Sequence, residues 1–335
     1  MPSTREVRFN KVEMNNTILQ INELKTYFFT RLGVVKAVDG VSFGLRKGEC
    51  LCLVGESGCG KTATALSVLR LVDSPPGRIV DGRIMYHGED LRHSSGARLR
   101  QIRGNRIAMI FQDPQSSLNP VFTVGDQIME QIHLHLKPGK RQAWDRALSL
   151  MEQVGIPQAK ERMKYYPHQF SGGMKQRVMI AAALSCDPEI LIADEPTTAL
   201  DTTIKAQILD IFRDLKQERH MSILFITHDL GTVAGIADRI IVMYGGRIAE
   251  AGSVLDIFDQ PKHPYTWGLL KCLPTVSERR EKLSPIPGTI PSLIDPPEGC
   301  IFYPRCQWHM PVCQQTRPEE FVISGEHIAA CYLYA

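Results

Sequence analysis

The chain has 335 residues, of which 43% are hydrophobic and 22% charged, and its formal net charge is +3 at pH 7. This composition is typical of a globular protein with two or three packing units and argues against a disordered chain. The small, scattered excess of positive charge argues against nucleic acid as a partner, because nucleic-acid-binding proteins usually concentrate basic residues in one patch.

The first residues of the chain, MPSTREVRFNKVEMNN, are polar and show no periodicity. We therefore predict a flexible tail over 1–16. They contain no apolar core of the kind that a signal peptide needs, and no run of about 18 apolar residues follows anywhere. We expect the chain to stay in the cytoplasm, where its nine cysteines would not form stable disulfides.

Alternation of apolar and polar residues from Thr17 to Gly48 predicts antiparallel strands joined at glycine turns. Short apolar runs typical of buried parallel strands follow at CLCLV (Cys50–Val54), ILIA (Ile190–Ala193), ILFIT (Ile223–Thr227) and IIVM (Ile240–Met243). Helix-length segments separate these runs. The pattern predicts an α/β fold with a parallel sheet covered by helices on both faces.

Two changes of pattern divide the rest of the chain. Helical spacing between Gln112 and Asp187, clearest from Trp144 to Val154, predicts a helical insert over about 113–187. A proline-rich sequence begins after Leu255 and predicts a small, loop-rich module over 255–335.

A glycine-rich segment follows the first buried strand and precedes the helix-like ATALSVLRL. The residues that fit the pattern GxxxxGK[ST] are Gly55, Glu56, Ser57, Gly58, Cys59, Gly60, Lys61 and Thr62. In such a loop the backbone N–H groups converge on phosphate oxygens, the lysine reaches the outer phosphates and the threonine hydroxyl can ligate Mg²⁺. We count Thr64 with these contacts; the alternative is a plain glycine-rich turn before a helix.

Two adjacent acids end the ILIA strand. Asp194 suits the coordination shell of Mg²⁺, and Glu195 suits a general base that polarises the attacking water. The alternative is that both are ordinary solvated acids at the end of a strand.

The segment Phe170–Arg177, FSGGMKQR, resembles the LSGGQ signature of ABC ATPases and lies one helix upstream of the acidic strand. Gln112 in IFQDP resembles the Q-loop, Ala199-Leu200-Asp201 resembles the D-loop, and His228 after ILFIT resembles the H-loop. With these motifs in this order the chain is identified as a member of the ABC ATPase family. The resemblance implies a P-loop NTPase (RecA-like) cassette over 17–254 with an antiparallel β subdomain.

ABC cassettes work as head-to-tail dimers, with ATP between the phosphate loop of one and the signature of the other. The resemblance therefore implies that His228 contacts the γ-phosphate, and that Gln112 senses Mg²⁺ and passes closure to a membrane subunit. The remaining nucleotide contacts that it implies are Ser171, Gly172, Gly173, Asp201 and an aromatic residue that stacks on adenine, for which Phe28 is our choice and Tyr27 and Phe29 compete.

Three residues depart from the family pattern. Cys59 stands where many members have serine, and Phe170 and Met174 replace the common leucine and glutamine of the signature. The first two leave the backbone donors in place, whereas Met174 loses a polar side chain. We still expect an active site.

Further text, including FQDPQSSLNPVFTVGDQI and HPYTWGLL, resembles the peptide/nickel importer ATPases of the dipeptide/oligopeptide permease D type over 17–335. That resemblance implies an ATPase at the cytoplasmic face of the membrane that powers dipeptide or oligopeptide import. Its partners would be two transmembrane permease subunits facing about 114–131, a second related ATPase and, indirectly, an extracytoplasmic binding protein. The alternatives are a soluble ABC regulator without permease partners and a nucleotide kinase, in which the signature and His228 would have no role.

Four cysteines cluster near the end of the chain: Cys300, Cys306, Cys313 and Cys331. Gaps of five, six and seventeen residues separate them, so CxxC pairs typical of structural zinc are absent. Spacing alone leaves zinc, an iron–sulfur cluster and four buried thiols open. The resemblance implies a [4Fe–4S] cluster in a small metal-binding C-terminal module, which the metal would hold together.

Overall fold

The structure is a computed structural model that describes residues 16–273 and 286–335. The predicted flexible tail, apart from Asn16, lies outside the described residues. The chain forms two compact units, one from the described parts of Met1–His93 and Thr227–Ala335, the other from Ser94–Ile226. The phosphate loop belongs to the first unit and the acidic strand to the second.

The described chain contains both strands and helices. The strands are β1 (Thr17–Thr30), β2 (Gly33–Arg46), β3 (Cys50–Val54), β4 (Gly77–Tyr86), β5 (Glu89–Asp90), β6 (Ile107–Ile110), β7 (Ile190–Asp194), β8 (Ser222–Thr227), β9 (Arg239–Tyr244), β10 (Arg247–Ser253), β11 (Phe321–Ser324) and β12 (His327–Ala329). The helices are α1 (Lys61–Val68), α2 (Gly96–Ile102), α3 (Pro114–Ser117), α4 (Val124–His135), α5 (Lys140–Gln153), α6 (Ala159–Arg162), α7 (Gly172–Ala183), α8 (Thr202–Arg219), α9 (Leu230–Val233), α10 (Val254–Asp259), α11 (Pro264–Lys271) and α12 (Pro311–Gln315). Among the described helices, none combines the length and the apolar character needed to cross a bilayer.

The first unit contains an antiparallel sheet in the order β2-β1-β4-β5. A tight turn joins β1 to β2, with Thr30 opposite Gly33. The antiparallel strands predicted from the alternation after Thr17 are therefore confirmed.

The same unit holds the strand that leads into the phosphate loop. All residues of β3 are buried, and β3 pairs in parallel with β9, with Val54 opposite Val242. The chain then turns back at Gly245-Gly246 into β10, which pairs antiparallel with β9 and with β12. The end of β3 and the β9–β10 turn thus lie at the same edge.

Three parallel strands, β6, β7 and β8, form the centre of the second unit, with β7 between the other two. Every residue of β7 is buried, as its apolar sequence predicts. Phe212 of α8 meets Phe225 of β8 edge-on at 5.3 Å between ring centroids, and both are fully buried. Parallel strands covered by helices confirm the predicted α/β class.

Two amphipathic helices, α4 and α5, lie in the region predicted to be helical. On α4 the buried residues Val124, Ile128 and Ile132 recur at a spacing of four, so that one face of the helix is apolar. Helix α5 (Lys140–Gln153) contains most of the segment from Trp144 to Val154 in which helical spacing is clearest. The bounds of the helical insert and the domain boundary at residue 255 stay predictions.

The four clustered cysteines lie in short, irregular elements. Cys300 and Cys306 flank the 3₁₀ turn Tyr303–Arg305, Cys313 lies in α12, and Cys331 precedes a last 3₁₀ turn. Within 16–273 and 286–335 no three His, Cys, Asp or Glu side chains are grouped so that they could hold a metal ion. The expected metal-binding character of the C-terminal module, whether a [4Fe–4S] cluster or zinc, is therefore not supported by the described residues.

Candidate functional site

The phosphate loop connects β3 to α1, and carbonyl groups of neighbouring strands lie very close to its backbone. Gly55 has φ +154°, and a Cβ there would lie 2.3 Å from the Met243 carbonyl oxygen. Gly60 has φ +106°, and a Cβ there would lie 2.2 Å from the Ala37 carbonyl oxygen. Only glycine adopts these conformations in so little space. Because Gly60 is also the N-cap, no side chain caps α1, whose first N–H groups face the loop.

Lys61 lies over the loop that it follows. Its side chain is buried, and Nζ donates to the carbonyl oxygens of Gly55 at 2.8 Å and Glu56 at 3.1 Å. The ammonium is therefore held among the loop's backbone groups. This arrangement favours a phosphate at the same place, because the cation and the helix N-terminus attract negative charge together.

The loop side chains divide into exposed and buried sets. Ser57 and Gly58 are exposed at the tip, as is Thr62 in the first turn of α1. Cys59 points inward, where burial raises the pKa of its thiol. Thr64 is fully buried, and its Oγ1 donates to the Gly60 carbonyl at 2.9 Å. Cys59 and Thr64 thus support the loop from below.

Glu56 is held by two residues that the sequence analysis missed. Its backbone N–H donates to Oη of Tyr265 at 2.8 Å. Its carboxylate oxygens accept from Arg305, from Nη1 at 2.7 Å and from Nη2 at 3.1 Å. Tyr265 lies in the HPYTWGLL text and Arg305 directly precedes Cys306, but no local pattern marks either as a neighbour of the loop.

The acidic pair at the end of β7 is built from two different conformations. Asp194 ends the strand and is buried. The next residue, Glu195, leaves the strand with φ +47°, while its N–H still donates to the Ile226 carbonyl oxygen at 2.9 Å. Its Oε2 accepts from Gln112 Nε2 at 3.1 Å and from Thr198 Oγ1 at 2.9 Å. A positive φ at a non-glycine residue is uncommon and concentrates at functional sites.

The signature residues lie at the N-terminus of α7. Ser171 is the N-cap, with Oγ accepting from the Met174 N–H at 3.4 Å, and both Ser171 and Gly172 are exposed. Gly173 is buried, and a Cβ there would lie 2.6 Å from the Ile204 side chain. The exposed end of this helix can therefore offer N–H groups to an anion.

The two departures within the signature have different surroundings. Phe170 is buried and meets Tyr165 edge-on at 6.4 Å between centroids. Met174 is half-buried, and its Sδ accepts from Arg162 Nη1 at 3.0 Å. Phe170 thus fills an apolar site, whereas Met174 is tied to a neighbouring cation.

Asp201 and His228 each lie next to a helix start. Asp201 is the N-cap of α8, and its Oδ1 accepts from the Ile204 N–H at 3.0 Å. His228 directly follows β8 and is exposed. The next residue, Asp229, caps α9 by accepting from the Gly231 N–H at 2.9 Å, which fixes the backbone beside His228.

The three adjacent aromatic residues of β1 have distinct environments. The Phe28 ring packs where a Cβ on Gly77 would lie 2.9 Å away. The Tyr27 hydroxyl donates to Asp39 at 2.7 Å. Phe29 is 48% exposed. Adenine stacking by Phe28 stays a prediction, and Phe29 is the most exposed ring of the three.

Thiol environments in the C-terminal residues share two features. Burial raises the pKa of Cys300 and of Cys331 to about 11 and also raises that of Cys306. The Sγ of Cys313 accepts a hydrogen bond from the Met310 N–H at 3.4 Å. All four cysteines line one cavity.

Comparison with known proteins supplies the family. Residues 38–198 match the family model described as ABC transporter, and residues 249–313 match the oligopeptide/dipeptide transporter C-terminal region. The dipeptide transport ATP-binding protein DppD of Bacillus subtilis (strain 168) is 50% identical over 316 residues, which cover 94% of each chain. The chain belongs to the ABC transporter family. It is an ABC ATPase, as the order of its motifs predicts.

A further similar protein supports the assignment to this family, and a solved structure supports the fold. The oligopeptide transport ATP-binding protein AppD of B. subtilis (strain 168) is 49% identical over 319 residues, covering 95% of this chain and 97% of that protein. A dimeric ATP-binding cassette, MJ0796, in a post-hydrolysis state bound to ADP and Pi, superposes with a TM-score of 0.64 at 24% identity. It covers 70% of this chain and 98% of its own, and at this identity it supports the cassette fold alone.

Replacing Gly60 with alanine should weaken ATP binding by about tenfold or more, because the new Cβ would collide with the Ala37 carbonyl and force the loop to shift. Gly58→Ala is the matched control, since Gly58 also has positive φ, +81°, but no atom lies within 4 Å of the place that its new methyl group would take. Calorimetric titration with ATP measures both. Equal affinities for the two variants would contradict the role given to crowding.

Proposed function

We propose that this ABC ATPase hydrolyses ATP to drive the import of dipeptides or oligopeptides through a membrane transporter. The carrying observation is its similarity over almost the full length to ATP-binding proteins named for dipeptide and oligopeptide transport. The match of residues 249–313 to the oligopeptide/dipeptide transporter C-terminal region supports the same conclusion.

We assign the catalytic roles as follows. Lys61 and the loop N–H groups bind the phosphates of ATP. Thr62, Gln112 and Asp194 are the Mg²⁺ contacts, and bound Mg²⁺ would neutralise charge that develops on the phosphates. Glu195 accepts the proton of the attacking water, and His228 contacts the γ-phosphate. The hydrogen bonds from Gln112 and Thr198 support the role of Glu195, since they restrict its carboxylate to one orientation.

We further propose that two ATPase subunits act together, with the signature of one completing the ATP site of the other. The exposure of Ser171 and Gly172 at the start of α7 supports this arrangement. The second subunit would be a related ATPase, as the sequence resemblance implies. The pair would sit at the cytoplasmic face of the membrane on two permease subunits, fed by an extracytoplasmic peptide-binding protein.

An exposed apolar pair supports contact with the permease. Val121 and Phe122, within the segment expected to face it, are 70% and 54% exposed. Apolar side chains exposed side by side are typical of interaction surfaces.

Glu195→Gln should lower ATP turnover by about 100-fold or more while leaving ATP affinity within about threefold of the original, because the amide keeps the shape but loses the base. Phosphate release and nucleotide binding measure the two quantities. Glu189→Gln is the control: it removes a carboxylate just before β7 that pairs with Arg106 at the surface. Normal turnover in Glu195→Gln would refute the assignment of the base.

Recovery of membrane subunits separates the importer from a regulator without permease partners. Affinity purification of the tagged chain from detergent-solubilised membranes should recover two integral membrane proteins. Val121→Asp combined with Phe122→Asp should reduce that recovery about tenfold, with ATP binding unchanged, because a charge opposes burial of this surface. Leu255→Asp, at another apolar residue that is 70% exposed, is the control and should have no effect. Purification without any membrane subunit would favour the regulator.

We also propose that the four clustered cysteines bind a [4Fe–4S] cluster. They line one cavity together with the apolar residues Phe302 and Trp308, and the Sγ of Cys313 already accepts the Met310 N–H at 3.4 Å. N–H donors to sulfur are typical of iron–sulfur ligation because they stabilise thiolates. Four sulfurs around a cavity suit a cluster better than a single ion, whose ligands must converge more closely. The bound cluster would supply a covalent link between the segments that carry its ligands.

Anaerobically purified protein should contain about four iron and four sulfide per chain and should absorb visible light. Cys306→Ser should lose most of the iron, whereas Cys272→Ser should retain it, because Cys272 does not line the cavity. A colourless protein with one zinc per chain would contradict the cluster proposal. A colourless protein without metal would contradict it too and would favour four buried thiols.

A further inference from the structure

The segment between Cys300 and Cys306 packs beside the phosphate loop and the β9–β10 turn. Its Ile301 side chain lies on the β9–β10 turn, where a Cβ on Gly245 would be 2.3 Å from Ile301 Cδ1. The adjacent Gly246 donates its N–H to the Cys59 carbonyl of the loop at 2.9 Å. A single glycine turn therefore separates this cysteine-flanked segment from the loop.

An aromatic cluster gives the segment a second contact with the loop. Phe302 is buried, with its ring centroid 5.1 Å from that of Tyr244 and 5.5 Å from that of Tyr265. The Tyr265 hydroxyl is the group that accepts the Glu56 N–H. Displacing Phe302 would therefore disturb a direct hydrogen-bond partner of the loop.

Arg305 makes the third and strongest contact. Its side chain is only 4% exposed, and it donates to both carboxylate oxygens of Glu56. Nε donates to the Pro287 carbonyl at 2.9 Å, and Nη1 also donates to the Tyr244 hydroxyl at 3.3 Å. A guanidinium anchored on one side and bidentate on the other fixes its partner in both position and orientation.

Arg305 fixes Glu56, the loop residue whose carbonyl oxygen accepts a hydrogen bond from Lys61 Nζ at 3.1 Å. Glu56 thus links three groups: the buried guanidinium through its side chain, Tyr265 through its N–H and the phosphate-binding lysine through its carbonyl. The shape of the loop and the place of the Lys61 ammonium depend on the same residue.

We propose that Arg305 is a positioning residue for nucleotide binding, which holds the phosphate loop through Glu56 in its ATP-binding shape. The C-terminal residues then contribute to ATP affinity indirectly, through the shape of the phosphate loop. Preorganising a loop before the ligand arrives improves affinity by lowering the ordering cost of binding. Because loop contacts are made to ATP before and during hydrolysis, loss of Arg305 should act on KM more than on kcat. The proposal rests on the ATP site assigned above.

The test is a double-mutant cycle in the full-length chain, with equilibrium binding of ATP as the main readout. Arg305→Gln and Glu56→Gln should each raise the Kd for ATP about tenfold, and the double variant should lose no more than either single variant, since both remove one interaction. Arg305→Lys keeps the charge without the bidentate geometry and should give an intermediate Kd. In the assembled transporter, Arg305→Gln should raise KM for ATP similarly and leave kcat within about twofold.

Glu326→Gln is the matched control. Glu326 also joins the C-terminal residues to the cassette, through ion pairs with Arg46 and with Arg239 at 3.3 Å, but Arg239 begins β9, at the opposite end from the loop. Its removal should leave the Kd unchanged. Thermal unfolding of every variant separates a loss of stability from a loss of affinity.

A Kd for folded Arg305→Gln and Arg305→Lys within twofold of the original would overturn the proposal, as would an equal rise in Glu326→Gln. Additive losses in the double variant would also overturn it, because they would mean that Arg305 and Glu56 act separately. If the original chain binds ATP but hydrolyses none in its transporter, the proposed function fails, while the binding cycle still decides the role of Arg305.

Discussion

Crowding of the backbone beneath the phosphate loop is the constraint on which the nucleotide site depends. The loop must turn from β3 into α1 while the carbonyls of Ala37 and Met243 press against Gly60 and Gly55. A carbonyl at this distance excludes even a methyl group, so that the loop is held in one shape. Since Ala37 lies in β2 and Met243 in β9, the shape belongs to the surrounding sheets as much as to the loop itself.

At the end of the acidic strand, hydrogen bonds hold one residue in an unfavourable backbone conformation. Glu195 adopts a left-handed conformation, which costs a non-glycine residue on the order of 1–3 kcal/mol. The hydrogen bonds of its side chain with Gln112 and Thr198, and of its N–H with Ile226, hold it there. Asp194 therefore keeps the extended conformation of β7, whereas Glu195 leaves the strand at a left-handed turn.

The C-terminal residues are joined to the cassette by buried polar groups. Glu250 of β10 is fully buried, and its carboxylate accepts the N–H groups of Lys262 at 2.6 Å and His263 at 2.9 Å. Its Oε1 also lies 2.8 Å from Nε2 of His327 in β12. A buried carboxylate is stable only when it is paired in this way, so these bonds fix β12 and the start of α11 on β10. Together with Arg305 they make the C-terminal segment continuous with the nucleotide-binding unit.

The sequence by itself determined the fold class, the phosphate loop, the acidic strand and the family, because each depends on residues that are close along the chain. The apolar runs of β3 and β7, the glycine spacing up to Lys61 and the order of the motifs are local patterns that physical chemistry ties to one structure. Only the tertiary structure decided that Cys59 and Thr64 face inward, that Glu195 is held by Gln112, and that the four cysteines line a common cavity. It also decided the pairing of Glu56 with Arg305, 249 residues later. Such contacts depend on how strands and helices pack across long separations, and no local pattern carries that information.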